Sequence, residues 1–389
     1  MTGSVVHIIN DLNGNGGAER LVVEMAQRQT RFSATVIVWK GANIELLDDA
    51  AFSAVTIVAV KLSSPRSIAR AWGAMRAADL VHVHLFPSLY FCALLPFRKI
   101  YTEHNTWNRR RARGWLRGIE RWIYGRYDCV AAISEPVREN LQTWLAPMAA
   151  EIHLIENGVC LERFASTRAR GPKVDGRFYI GMVGSFTDKK DQETIVRALS
   201  LLPDNVHASF AGVGSRRSLV EELAVTLGVR DRVHFSGLVR DIPAFLSRID
   251  LYVQSSHWEG FGVAVVEAMA ANLPVLVSDV GGLAVVVDDA AYRFPAQDHR
   301  RLAERILALV GGEEKYGDAA AYARQRAQSF SIERTVSSYE DLYELVKSGQ
   351  RASVATGADA GPGNAAVTRG PPKARRDISD SLRARFDEN

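Results

Sequence analysis

Two glutamates in the segment His257–Ala270 have the type and spacing to hold a ligand rich in hydroxyl groups and phosphate. Glu259 stands in a loop, and Glu267 falls a little over one turn inside the helix predicted after it. Gly260 and Gly262 allow main-chain amides to face a phosphate, while carboxylates accept hydrogen bonds from sugar and ribose hydroxyls. The alternative interpretation is that both acids only stabilise the helix dipole near its amino terminus.

A glycine-rich loop between Asn10 and Arg20 offers a second place for an anion. The loop follows the first apolar run and opens a helix, where Gly16 and Gly17 let the backbone approach a ligand. The dinucleotide fingerprint would need a glycine where Glu19 stands, and the Gly-Lys-Ser/Thr ending of a P-loop is absent. A tight turn that caps the helix is the alternative interpretation.

Three histidines near predicted strands could also take part in catalysis or metal binding. His104 follows the strand predicted over Ile100–Thr102, although an isolated histidine at such a place is more often a hydrogen-bonded structural residue. His82 and His84 are two residues apart on the strand predicted over Leu80–His84, so they share one face. The pair could suggest a metal site, but no third ligand is apparent, and we interpret both as core or cleft histidines.

Short β-branched runs alternate with helical patterns, which is typical of parallel sheets covered by helices on both faces. The alternation starts again after residues 165–177, a segment without periodicity that we interpret as a linker. We therefore predict an α/β fold of two doubly wound Rossmann-like domains, residues 1–165 and 178–330, that face a cleft. Residues 348–389 are rich in Ala, Gly, Pro, Arg and Asp, and we predict a disordered tail there.

Composition and charge exclude several classes of protein. A net charge of +4 is too small to indicate a dedicated nucleic-acid binder, so no nucleic-acid partner is expected. The three cysteines form no CxxC pair and no Cys/His metal spacing, which favours a reduced cytoplasmic protein. No secretory signal is visible, and the longest apolar stretch, Leu85–Phe97, falls short of the ~20 residues that span a bilayer.

Several segments taken together resemble glycosyltransferase family 4, a GT-B family of retaining enzymes that use nucleotide sugars. Glu259 and Glu267, with seven residues between them, are similar to its Glu-x(7)-Glu motif. Other segments agree in order and spacing: Gly16-Gly17-Ala18-Glu19-Arg20, Thr102-Glu103-His104, Ala132-Ile133-Ser134, Ile155-Glu156-Asn157-Gly158-Val159, Gly184…Lys190, Gly212-Val213-Gly214, and Pro274–Val277 leading to Gly281-Gly282. The resemblance covers about residues 5–345 and implies a GT-B fold whose helix 331–347 crosses back to the first domain.

The resemblance also implies a role for each matching residue. Glu267 is expected to bind the donor ribose, Glu259 the transferred sugar, and Lys190 the leaving diphosphate. The expected catalytic set is His104, Glu259 and Lys190, and the expected donor-binding set is Gly16, Gly17, Ser185, Lys190, Glu259, Gly260, Phe261, Gly262 and Glu267. By position alone, Val239 and Arg240 are expected to contact the base.

The expected reaction needs no metal and no other cofactor, because a lysine and helix amino termini can stabilise the departing phosphate oxygens. The donor is expected to be a UDP-, GDP- or dTDP-sugar. The acceptor is expected to be a glycan or a lipid-linked sugar in the biosynthesis of a cell-surface polysaccharide such as lipopolysaccharide.

One position departs from the family pattern. The family usually has an arginine directly after the glycine of the phosphate strand, where this chain has Ser185, five residues before Lys190. Either Lys189, Arg216 or Arg217 replaces that cation, or the phosphate site is weaker. Because of this departure, a non-catalytic sugar-nucleotide-binding subunit stays as an alternative, beside a GT-B epimerase or phosphorylase.

The segment Asn108–Arg126 is strongly basic, with seven arginines against one acid. On a helical wheel one narrow sector holds Arg110, Arg113, Arg117 and Arg121, and the roughly opposite side holds Trp115, Ile119, Trp122 and Ile123. One interpretation is a surface helix docked by its apolar side, with the arginines in water. The other is that the arginine stripe meets an anionic membrane or a phosphate-bearing lipid acceptor, which places the protein on the inner membrane face.

Overall fold

Two parallel β-sheets, each flanked by helices, make up the fold. The computed structural model describes residues 3–12, 16–40, 55–106, 108–147, 151–165 and 176–349. The predicted tail beyond residue 349 and nearly all of the predicted linker lie outside the described residues.

The first domain has a seven-stranded sheet in the order β3-β2-β1-β4-β5-β6-β7, and every neighbouring pair is parallel. The order reverses between β1 and β4, and the crevice at such a switch point is where doubly wound sheets bind ligands. The strands are β1 (Gly3–Ile9), β2 (Phe32–Val38), β3 (Thr56–Ala59), β4 (Leu80–His84), β5 (Lys99–Glu103), β6 (Cys129–Ala132) and β7 (Ile152–Leu154). The helices are α1 (Gly17–Arg28), α2 (Pro65–Ala77), α3 (Ser88–Ala93), α4 (Leu116–Tyr124), α5 (Glu135–Leu145) and α6 (Leu161–Ala165).

The second domain has a six-stranded parallel sheet in the order β10-β9-β8-β11-β12-β13, with its switch point between β8 and β11. The strands are β8 (Phe178–Val183), β9 (Val206–Ala211), β10 (Val233–Gly237), β11 (Leu251–Gln254), β12 (Val275–Ser278) and β13 (Arg293–Phe294). The helices are α7 (Gln192–Leu199), α8 (Arg217–Thr226), α9 (Ile242–Leu246), α10 (Val263–Ala270), α11 (Gly281–Val286), α12 (His299–Val310) and α13 (Glu313–Ala327). These two sheets confirm the predicted fold class.

The last described helix, α14 (Ile332–Ser348), returns to the first domain. The Ser331 side chain caps its amino terminus, and Gly349 ends it with a left-handed backbone (φ 71°). Its buried side chains, among them Tyr339 and Tyr343, pack in the same hydrophobic cluster as Phe32 and other residues of the first sheet. This packing confirms the predicted crossover.

The two domains also share hydrophobic core at the base of the cleft. One continuous buried cluster includes Ile133 and Val137 of the first domain together with Phe261 and Val265 of the second. The Ser134 hydroxyl donates to the carbonyl oxygen of Gly260 across the same boundary. Side chains of both domains are therefore packed against one another where the two ligand-binding edges meet.

The basic segment Asn108–Arg126 does not form the single amphipathic helix predicted from its sequence. Arg109–Ala112 form a short 3-10 helix, and α4 begins only at Leu116. Arg113, between the two, has an extended backbone (φ −99°, ψ 90°). The four arginines of the predicted stripe therefore do not share one helical face, and this part of the prediction is wrong.

The apolar side of α4 is also not docked as predicted. Trp115, Ile119 and Trp122 have exposed fractions of 69%, 44% and 51%, and only Ile123 of the predicted apolar side is buried. Within the ranges given above, every helix is too short or too polar to cross a membrane.

Candidate active site

A cleft of about 930 Å³ lies between the carboxyl ends of the two sheets, where both switch points face one another. It is lined by every residue that the sequence assigns to donor binding, catalysis or base contact: Gly16, Gly17, His104, Ser185, Lys190, Val239, Arg240, Glu259, Gly260, Phe261, Gly262 and Glu267. Residues far apart in the sequence are thus brought to one place, although their individual roles stay predictions.

Glu259 is held by a dense set of polar contacts in the loop after β11. Lys190 forms an ion pair with its Oε1, Lys189 Nζ lies 2.8 Å from its Oε2, and the Ser256 hydroxyl donates to Oε1 at 3.0 Å. Burial alone would raise the pKa of Glu259, but the charges of Lys190 and Lys189 outweigh it and lower the pKa to about 2. Glu259 is therefore ionised and fixed in position at neutral pH.

Glu267 is buried near the start of α10 and has a much weaker ionic partner. Arg20 of α1 reaches across the cleft, with its Nη1 3.7 Å from Oε1 of Glu267. Burial raises the pKa of Glu267 to about 7, and the Arg20 charge opposes this rise only in part. The two glutamates of the motif therefore have opposite pKa shifts, because burial raises the pKa of both but only Glu259 faces two lysines, whose charges outweigh it.

The backbone between the glutamates is shaped by two glycines. Gly262 caps α10 with φ 111°, a conformation that other residues rarely adopt, and no side chain caps this helix end. A Cβ atom on Gly260 would collide with the carbonyl oxygen of His104, so the close approach of the two domains requires glycine there. Phe261 turns its ring inward, edge-on against Phe330, which leaves its backbone on the cleft side.

The three residues that could replace the cation missing at Ser185 differ in their positions. Lys189 lines the cleft and pairs with Glu259, as described above. Arg216 instead pairs with Asp188, 2.7 Å away. Arg217 lies over an aromatic ring, and neither arginine lines the cleft. Of the three candidates, only Lys189 lines the cleft, and it stays the candidate to replace the missing cation.

His82 and His84 are buried in the core, as interpreted from the sequence, but a third imidazole that the sequence did not make apparent lies beside them. His7 on β1 pairs in register with His82 on β4, and ligand atoms of His7, His82 and His84 lie within 4.8 Å of one another. All three side chains are buried. The sequence does not reveal the cluster, because only the pairing of β1 with β4 brings these distant residues together.

Further cleft residues were not assigned from the sequence. Arg20 and Arg163 add positive charge on the side of the first domain, and Asn105 and Asn157 add polar groups there. Arg20 does lie within the Gly-Gly-Ala-Glu-Arg segment, and its place in the first turn of a helix after a glycine loop could have indicated it.

Three arginines of the predicted stripe are engaged by the protein itself. Arg110 Nε lies 2.9 Å from a carboxylate oxygen of buried Glu120. Arg117 donates to the carbonyl oxygen of Trp144 at 2.8 Å, and Arg121 donates to the carbonyl just after α5 at 3.1 Å. Arg117 and Arg121 therefore satisfy the carboxyl end of α5 instead of facing a ligand.

Two family models match successive parts of the chain. The model described as Glycosyltransferase Family 4 matches residues 15–163, and the model described as Glycosyl transferases group 1 matches residues 164–326. Together the matches contain Gly16 and Gly17 of the glycine-rich loop in the first domain and both glutamates of the second.

Relatives and solved structures agree with these matches. A glycogen synthase of Mycobacterium tuberculosis is 25% identical over 292 residues, which cover 70% of each chain. The lipopolysaccharide core biosynthesis mannosyltransferase LpsB of Rhizobium meliloti is 26% identical over 292 residues, 71% of this chain and 79% of that protein. The structure of Anabaena HepE in complex with UDP and glucose superposes with a TM-score of 0.76 at 20% identity, covering 88% of this chain and 99% of that one.

Proposed function

Because the chain belongs to glycosyltransferase family 4, we propose that it moves a sugar from a nucleoside diphosphate donor to a glycan or lipid-linked acceptor, with retention of the anomeric configuration. The observation that carries the proposal is the placement of Glu259, Glu267 and Lys190 around one helix amino terminus in the interdomain cleft. The biosynthesis of a cell-surface polysaccharide is the proposed setting, supported by relatives such as the lipopolysaccharide core mannosyltransferase.

In this proposal the two glutamates hold the donor from either side of its diphosphate. Glu267 accepts hydrogen bonds from the ribose hydroxyls, and Glu259 accepts them from the transferred sugar. Val239 and Arg240, which line the cleft beside the second sheet, contact the base. Gly17 lies across the cleft near Val263, and its lack of a side chain leaves room for the diphosphate.

The departing diphosphate is stabilised by fixed positive charge. Negative charge builds up on its oxygens as the bond to the sugar breaks, and preorganised donors in a partly buried cleft stabilise that charge strongly. Lys190 and Lys189 supply two cations, and the uncapped start of α10 supplies main-chain amides. The proposed reaction therefore requires no metal ion. Relatives named as enzymes, such as the lipopolysaccharide core mannosyltransferase, favour catalysis over a subunit that only binds a sugar nucleotide.

A donor screen tests the proposal. At a free concentration of a hundred times Kd, the correct donor should stabilise the protein by about 2.7 kcal/mol, visible as a higher Tm among UDP-, GDP- and dTDP-sugars. The same donor should slowly release nucleoside diphosphate without acceptor. The exposed Glu222→Gln variant of α8 should behave as the wild type. Tight binding with no release of nucleoside diphosphate, even with acceptor extracts, would support the binding-subunit alternative instead.

We further propose that the enzyme works at a membrane surface, through the α4 face formed by Trp115, Ile119 and Trp122. The three side chains are large, apolar and exposed, and their spacing of four and three residues places them on one side of a helix. Arg126 lies over the Trp122 ring at 4.8 Å, and Arg113 is exposed nearby. Apolar side chains flanked by arginines are suited to the interface of an anionic bilayer.

Membrane binding should therefore depend on the α4 face more than on Arg117 and Arg121, which cap α5. Flotation with vesicles of phosphatidylglycerol and phosphatidylcholine should recover the wild type, whereas Trp115→Ser/Ile119→Ser/Trp122→Ser should stay unbound. A matched control removes two exposed apolar residues of the second domain, Leu219→Ser/Val225→Ser, and should still float. Equal flotation of both variants would refute the membrane proposal.

A further inference from the structure

A chain of hydrogen bonds runs from the cleft into the core of the first domain through three imidazoles. His104 Nε2 lies 3.3 Å from His84 Nδ1, and His84 Nε2 lies 3.2 Å from His7 Nδ1. The last link joins His7 Nε2 to the side-chain amide nitrogen of Gln29 at 3.2 Å. Of these four residues only His104 lines the cleft.

We propose that this relay of Gln29, His7 and His84 fixes the tautomer of His104, so that its Nδ1 carries the hydrogen and donates to a ligand in the cleft. In the orientation that the structure gives the Gln29 amide, its nitrogen faces His7, so His7 Nε2 accepts and His7 carries its hydrogen on Nδ1. The same alternation passes to His84, which donates from Nδ1 to His104 Nε2. His104 then carries its own hydrogen on Nδ1, which has no hydrogen-bond partner among the described residues.

The alternation requires that every imidazole in the relay is neutral, and the surroundings favour this. All three rings are buried, and burial lowers the pKa of His7 and His104 to about 4 and that of His84 well below its ordinary value. The neighbouring imidazoles add to the lowering at His84. When all the imidazoles are neutral and Gln29 donates at one end, each ring must accept on one nitrogen and donate from the other. The hydrogen bond at one ring nitrogen thus selects the tautomer of each histidine.

The neighbouring His82 is satisfied separately and does not compete for these bonds. Its Nδ1 lies 2.7 Å from the hydroxyl of Tyr343, and its Nε2 lies 2.7 Å from the hydroxyl of Thr102. Tyr343 also receives a hydrogen bond from Gln29 at 3.5 Å. Every ring nitrogen of His7, His82 and His84 thus has a hydrogen-bond partner, so a metal ion could bind there only by displacing several of them.

The inference deepens the proposed function, because it rests on sugar transfer in the cleft and on His104, one of the expected catalytic residues, lying beside the transferred sugar there. Gln29, His7 and His84 act through His104 and are therefore positioning residues. The predicted donor at Nδ1 would hydrogen-bond an oxygen of the sugar, whereas the opposite tautomer would present a lone pair that cannot bind a carbonyl or ether oxygen.

Nitrogen-15 NMR of the full chain with labelled histidine tests the tautomer directly and needs no turnover. The His104 signals, identified by their loss in His104→Gln, should show a protonated Nδ1 and an unprotonated Nε2 near neutral pH. A wild-type spectrum with the hydrogen on Nε2 overturns the proposal. The tautomer is read from the wild-type protein, with His104→Gln used only to assign the signals, so the result is independent of whether sugar transfer is found.

A substitution at the far end supplies the second readout. Gln29→Met removes the donor that sets the direction of hydrogen bonding in the relay, so His104 should lose its preference for the tautomer with hydrogen on Nδ1. As a result, kcat for donor turnover should fall about tenfold with KM nearly unchanged. Tyr339→Phe is the matched control, since it removes one hydrogen bond to Thr102 in the same cluster but none in the relay. An unchanged His104 tautomer in Gln29→Met, or an equal shift in Tyr339→Phe, overturns the proposal.

Discussion

Replacing Lys190 by methionine should lower kcat for sugar transfer by about 10²- to 10³-fold, the loss typical for removal of a preorganised group that stabilises developing charge. The ammonium of Lys190 is held by Glu259 and is mostly buried, with 18% of its side chain exposed. A buried, fixed cation stabilises the departing diphosphate without having to reorganise. The rate of nucleoside diphosphate release at saturating donor measures the effect.

Lys189→Met should cost less than Lys190→Met, because the Lys189 side chain is more exposed, at 32%, and water screens its charge. Either variant leaves Glu259 with one lysine and should raise its pKa from about 2. Lys315→Met, on the exposed side of α13, controls for loss of a lysine and should keep wild-type activity. A Lys190→Met enzyme within tenfold of the wild type would contradict the assigned role.

The site residues that the sequence predicts best are those whose position depends only on the conformation of the neighbouring backbone. Gly260 and Gly262 stand at a loop-to-helix junction, and the pattern around them predicts both the helix and the exposure of its first amides. Glu259 and Glu267 are fixed relative to this junction by their distance along the chain. Since these positions depend on only about a dozen consecutive residues, the pattern alone could place them at the ligand edge.

Features that depend on contacts between distant segments could not be predicted in the same way. His7 meets His82 only through the register of β1 and β4, and Gln29 enters the relay only because α1 packs over that sheet. The prediction of an arginine stripe on one helical face is wrong for a related reason. The periodicity assumes a continuous helix, but Arg110 turns toward Glu120, and the backbone is extended at Arg113.

Donor affinity should increase as the pH rises through about 7, and Glu267→Gln should remove this dependence together with most of the affinity. The pKa of Glu267 is raised to about 7 by burial, so the carboxyl is largely protonated at pH 6 and ionised at pH 8. An ionised carboxylate makes stronger hydrogen bonds to hydroxyls than an amide does, and we expect Kd at pH 8 to rise about 10- to 100-fold in the variant. Calorimetric titration with the donor at pH 6 and pH 8 measures both effects.

The same substitution should stabilise the unliganded protein, which separates its effect on binding from any damage to the fold. A carboxyl whose pKa is higher in the folded chain than its ordinary 4.5 binds its proton more tightly there, so its ionisation opposes folding. This cost grows from pH 4.5 to pH 7 and reaches about 3 kcal/mol above pH 7, since one pKa unit corresponds to about 1.4 kcal/mol. Glu267→Gln should therefore have a higher Tm than the wild type at pH 8 and a similar Tm below pH 4.5.

The exposed Glu222→Gln variant should change neither the Tm nor the donor affinity at any of these pH values. If Glu267→Gln binds the donor as the wild type does, the ribose assignment is wrong, whatever its Tm. If it loses the donor and is also less stable at pH 8, the loss of affinity reflects damage to α10. Weaker binding combined with a more stable fold is the outcome expected of a ligand-binding carboxylate, because a substitution that stabilises the fold cannot lower the affinity by damaging it.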